Sequence, residues 1–172
     1  MSDLYDQVTA DQDPFKKLAS KLPGFSGYIE RENRRAADKL LRESIADRYE
    51  QLWKRVGNIQ KDLAAEQEME LLDDLEGATT KLRTFVDKIR TATYGHSGFF
   101  DAVKINEEEL TRLYTYDLAL LEQSDEIGRA VDNVETSVGG EGLPAAVRHL
   151  VTLSRELVST FDRRGEVITA SS

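Results

Sequence analysis

From Ile45 onward the apolar residues Tyr49, Leu52, Val56, Ile59 and Leu63 follow one another at alternating spacings of four and three. A helix returns to one face at that interval, whereas a strand alternates every two residues. Kept to a seven-residue repeat, the stripe predicts the seam of a helix packed in a left-handed bundle. Trp53 stands beside the stripe and widens it, and Ala36, Ala37, Leu40 and Leu41 continue the apolar face upstream. One helix is therefore expected from about Tyr28 to Ala65, on the order of 55 Å long.

Three more seams follow. The second runs Leu72, Leu75, Thr79, Leu82, Val86, Ile89, Thr93, flanked by Leu71, Ala78, Phe85 and Ala92. Leu63 and Leu72 are out of phase, so the chain is expected to reverse near residues 64–68, although neither Gly nor Pro marks a turn there. The third runs Leu110, Leu113, Asp117, Leu120, Ser124, Ile127, Val131, Val134, Val138, with Asn106 and Glu109 spaced as a capping box at its start. After the breaker "GGEGLP", Pro144 opens a fourth helix of about 20 residues carrying Val147, Leu150, Ser154, Leu157 and Phe161 and ending near Gly165. A short amphipathic helix begins at Pro14 and is stopped by Pro23 and Gly24. These signals predict an all-α antiparallel bundle of four main helices with coiled-coil-like packing, plus a short N-terminal helix. Residues 1–27 form an acidic segment and capping helix, 28–165 the bundle domain and 166–172 a tail.

Composition narrows the function. No apolar run approaches the ~20 residues of a membrane-spanning helix, and the acidic start "MSDLYDQVTADQD" is unlike a secretory signal, so a cytoplasmic protein is expected. Without cysteine there are no disulfides, thiolate metal sites or cysteine nucleophiles. A net charge of -9 argues against nucleic acid as a partner. The charge is uneven: residues 62–76 carry seven acids and no base, and residues 28–61 nine bases against six acids. Helices matched in charge within a bundle account for this; the other reading is an acidic face that recruits a basic partner.

The stretch "TATYGHSGFFDAVKINEEEL" interrupts the helical pattern with glycines, aromatic rings, a histidine, an aspartate and a lysine. If the first two helices form a hairpin, this segment returns beside the start of the first. There the heptad, extended backward from Ile45, lands on Arg42, Asp38, Arg35 and Arg31. A composite polar cluster is expected at that end, built from Arg31, Arg34, Arg35 and Asp38 together with Tyr94, His96, Asp101 and Lys104. The fourth helix, at about 20 residues, is too short to cover it. Mutual pairing of these groups at a capped bundle end is one reading. Binding of a small phosphate or carboxylate by the arginine forks, or acid–base chemistry at His96, is the other.

Other chemistry finds little support. Neither His96 nor His149 has the Glu three residues earlier that di-iron bundles use. The pairs Glu70/Asp73 and Glu122/Asp125 have metal-binding spacing but project away from the seams, so no metal and no cofactor is expected. There is no phosphate-binding loop and no nucleophile elbow. Asp117 and Ser124, polar within the third seam, are expected to fix register. The helix after Pro14 sets Phe15, Leu18, Ala19 and Leu22 on one face and Lys16, Lys17 and Lys21 elsewhere, which suits either packing on the bundle or weak peripheral contact of residues 14–22 with an anionic membrane.

The blocks "GFSGYIERENRRAADK" and "TATYGHSGFFDAVKINEEELTRLYTYDLALL" resemble two signatures of an uncharacterised group of bacterial helical proteins associated with membrane-stress modules of the phage-shock and SPFH type. The resemblance covers most of the chain from Gly24 to Leu121 and implies no activity and no catalytic residue. The sequence thus points to a non-enzymatic scaffold or adaptor acting on another protein or on a second copy of itself. The alternative is a small-anion or enzymatic site at the bundle end formed by residues 31–38 and 94–104.

Overall fold

Each seven-residue seam forms one long helix, and the phase slip between the first two is a turn. The computed structural model describes residues 14–22, 34–91 and 107–170. Five helices result: α1 (Pro14–Lys21), α2 (Arg34–Ala65), α3 (Met69–Thr91), α4 (Glu107–Ser137) and α5 (Leu143–Ala170). Between α2 and α3 the chain turns within residues 66–68, where Gln67 adopts φ 62°. Gln67 N–H donates to the Ala64 carbonyl at 3.2 Å and Glu68 N–H to the Leu63 carbonyl at 3.1 Å. That bonding is a Schellman cap with glutamine in the left-handed position glycine usually holds, so the sequence carries no overt turn signal. The α4–α5 turn is conventional, with Gly139 at φ 82°.

The protein is an all-α antiparallel four-helix bundle with a short N-terminal helix. Helix α2 packs on α3 and α4, and α5 packs on α3 and α4 in turn, so the ring order is α2, α3, α5, α4. Residue numbers rise together from α2 to α4: Arg48 approaches Asp125 at 3.7 Å, and Arg55 bonds Asp132 and Glu135. They also rise together from α3 to α5, since Lys81 lies by Arg155 and Phe85 by Phe161. Two antiparallel hairpins therefore lie side by side, with like directions adjacent. Helices α3 and α4 stand on a diagonal.

The seams form the core. Ile45, Tyr49, Val56 and Leu63 are fully buried, as are Leu75, Leu82 and Ile89 on α3, Leu120, Ile127, Val131 and Val134 on α4, and Val147, Leu150 and Leu157 on α5. One layer ties all four helices together. Tyr49 meets Phe85 edge-on with ring centroids 4.7 Å apart, Phe85 meets Phe161 at 5.3 Å, and the Tyr49 hydroxyl donates to the Leu120 carbonyl at 2.5 Å. Edge-to-face contacts of this kind add to what burial alone supplies.

Two expectations need correction. Helix α5 has 28 residues and passes through Gly165 to Ala170. A lone glycine inside a helix costs only about 1 kcal/mol and does not end it. Counted from Phe161, which sits at the level of Phe85, α5 runs about 13 Å further, past the described end of α3. It therefore does reach the end it was expected to leave open. Ser124, in turn, does not fix register between helices: its hydroxyl donates to Leu121 of its own helix, and Ser154 likewise to Leu150. Asp117 is fully buried on α4.

Helix α1 lies along α4 with Leu18 fully buried and Leu22 nearly so, and Lys21 pairs with Asp125, midway along α4. Among the described residues no helix is long and apolar enough to cross a membrane.

Candidate functional site

Most of the cluster expected at the bundle end lies outside the described residues. Arg31, Tyr94, His96, Asp101 and Lys104 lie outside the described residues, and so does Asn106 of the capping box. Arg34, Arg35 and Asp38 belong to the first turns of α2, where the backbone is described but the side chains are not. The nearest charged seam residue that is described, Arg42, donates to the Ile89 carbonyl at 3.4 Å. A cation there meets the negative end of the α3 dipole, a stabilising contact. The carboxylates of Glu70, Asp73, Glu122 and Asp125 are all exposed, and Asp125 is engaged by Lys21 and Arg48.

A second candidate lies elsewhere, in the groove between α3 and α5, the two parallel neighbours on the face away from α2 and α4. Its volume is about 330 Å³. Phe85, Val158 and Phe161 form its floor, Thr80 and Thr84 supply hydroxyls along α3, and Lys81, Lys88 and Arg155 stand at its rim. Among the described residues, no acidic side chain lines it. The heptad register explains the arrangement. On α3, Leu82, Phe85 and Ile89 point inward; Lys81 and Lys88, seven residues apart, then fall on the flank that faces α5.

Basic residues on the opposite flank of α3 are already matched. Arg90 bonds Asp47 and Glu50 of α2 at 2.7 and 3.0 Å, holding the Glu50 carboxyl below its usual range. Arg83 lies over the Trp53 ring at 5.6 Å. Lys81, Lys88 and Arg155 have no such relief: none forms a salt bridge among the described residues. Partial burial, and then the neighbouring Arg155 cation, push the Lys81 amine below its usual pKa. In a chain of net charge -9, three uncompensated cations around an apolar floor form a local field that an anionic group would relieve.

Sequence reading missed this site. Lys81 and Lys88 carry a readable signal in their heptad spacing, but Arg155 is 74 residues beyond Lys81, and only the ring order brings it close. No group of three or more His, Asp or Glu side chains suited to a metal occurs among the described residues. Comparison with family models, with curated proteins and with solved structures finds no match to this chain.

Proposed function

We propose that the protein is a non-enzymatic helical adaptor that works through protein–protein contacts, and that the α3–α5 groove receives an acidic, apolar-anchored segment of its partner. The observation that carries this reading is the unmatched cation triad of Lys81, Lys88 and Arg155 over the Phe85–Val158–Phe161 floor. Among the described residues the walls at Thr80, Thr84, Lys88 and Arg155 are exposed, so the trough between them is open. Sites for small molecules enclose most of their ligand. An open trough between two helices better fits a helix laid along it with apolar anchors at i and i+4. Its length from Thr80 to Lys88, about 12 Å, spans roughly two helical turns.

The test is titration of a fluorescein-labelled helical peptide with two leucines at i and i+4 among glutamates. Binding is expected, weakening with salt, and at least tenfold weaker in the double variant Lys81→Glu/Lys88→Glu. The fold should hold in that variant, because Lys81→Glu removes a like-charge contact with Arg155. No binding by the native chain at millimolar peptide, or equal binding by both chains, overturns the proposal.

A further inference from the structure

Among the described residues, the rim of the α3–α5 groove is a set of hydrogen-bond donors without a protein acceptor. Lys81, Lys88 and Arg155 form no ion pair there, and no acidic side chain lines the groove. Its two threonines are in the same condition. Thr91, Thr136, Thr152 and Thr160 turn their hydroxyls back onto carbonyls of their own helices, and Thr79 donates to Gln60 at 3.1 Å. The Thr80 and Thr84 hydroxyls make no hydrogen bond among the described residues, and both side chains are exposed. Of the floor, Phe85 and Phe161 are sealed, at 2% and 3% exposure, and Val158 is half-buried. Selection among ligands therefore falls to the polar rim.

Helix register gathers those donors. Arg155 stands six residues before Phe161, and Thr80 and Lys81 stand five and four before Phe85. Since α3 and α5 run in parallel and Phe85 meets Phe161 at 5.3 Å, the three residues come to one level of the groove, with Thr84 one turn on. Partial burial first, and the Arg155 cation second, depress the Lys81 amine, so the two charges lie near enough to share one counter-ion. A carboxylate offers a single charge and two oxygens in a plane. A phosphate ester offers about -1.5 to -2 charges and three terminal oxygens on a tetrahedron, which lets it accept from two cations and a hydroxyl together.

We infer that Lys81, Arg155 and the Thr80 and Thr84 hydroxyls form a recognition site for a phosphoryl group. This rests on reading the groove as a receiver of acidic segments, and it names the acid as a phosphate monoester rather than a carboxylate. Lys88, about 10 Å further along α3, is left for a second acidic group of the same ligand.

Fluorescence anisotropy of the full chain with two forms of the acidic leucine peptide tests this. One form carries a phosphoserine among its glutamates; in the other a glutamate takes that place and a second is added at the end to match the charge. The phosphorylated form should bind about tenfold tighter. Lys81→Gln and Arg155→Gln, with circular dichroism unchanged, should each cancel that advantage, while Lys61→Gln, on α2 outside the groove, should keep it. Phenyl phosphate at millimolar concentration, followed by calorimetry, separates the sources of the group. If neither peptide binds but phenyl phosphate does, and loses its binding in both groove variants, the ligand is a free phosphate ester and the adaptor reading alone has failed. If both peptides bind equally, or the advantage survives in both groove variants, the phosphoryl site has failed and the adaptor reading stands. No binding of peptide or phenyl phosphate overturns both.

Discussion

Tyr49 shows how one side chain can tie a bundle together. Its ring fills a fully buried seam position, and its hydroxyl crosses to the Leu120 carbonyl, 71 residues further along the chain. Burial, reinforced by the Asp125 and Glu126 carboxylates and opposed by Arg48, raises its pKa well above 10.0. Tyr49→Phe keeps the ring and loses the bond, so the unfolding free energy should fall by about 1 kcal/mol at neutral pH in urea titration. The pH dependence has a definite sign. In the unfolded chain a tyrosine ionises near 10, while in the fold Tyr49 stays protonated, so its contribution is intact below about pH 10 and declines above it. The gap between the native chain and Tyr49→Phe should therefore narrow as pH rises past about 10; a constant gap would show that the hydroxyl is not sequestered. Periodicity alone marked Tyr49 as buried. Its hydrogen-bond partner was not legible, because a backbone carbonyl has no sequence signature.

At the scale of the element, the α2–α3 turn carries a cost that glycine would remove. Gln67 sits at φ 62°, a conformation an L side chain disfavours by about 1 kcal/mol or more. Part of the gain from glycine is offset by the larger entropy it loses on folding. Gln67→Gly is therefore expected to raise unfolding stability by up to about 1 kcal/mol, seen as a higher Tm by about 2–4 °C, and a lower Tm would contradict the left-handed assignment. The reversal itself was legible from the break in heptad phase between Leu63 and Leu72. The end of α5 was not. Gly165 reads as a stop in sequence, yet a glycine ends a helix only where the chain takes a left-handed turn, as at Gly139.

For the whole molecule, α1 offers a test of how far the cooperative unit extends. Leu18 is fully buried against the bundle. If α1 unfolds with the bundle, Leu18→Ala should lower global stability by about 2–4 kcal/mol. That is the expected outcome, measured by chemical denaturation; an unchanged midpoint would mean that α1 detaches on its own before the bundle opens. The same docking bears on membrane contact through residues 14–22, which would require Leu18 and Leu22 to leave the bundle first. Ring order also settles which charges meet. Arg55 finds Asp132 and Glu135, and Arg90 finds Asp47 and Glu50, while Lys81, Lys88 and Arg155 are brought together with no ion pair among the described residues.

The sequence by itself determined the helical class, the four seams, a reversal near residues 64–68 and most of the buried residues, because all of these follow from periodicity along one chain. Tertiary structure alone decided that like-directed helices are neighbours, that α3 and α4 stand on a diagonal, and that a basic groove opens between α3 and α5. A seven-residue repeat specifies which face of a helix is buried but not which of three other apolar faces it meets. That choice is made by side-chain packing and charge between segments far apart in the chain.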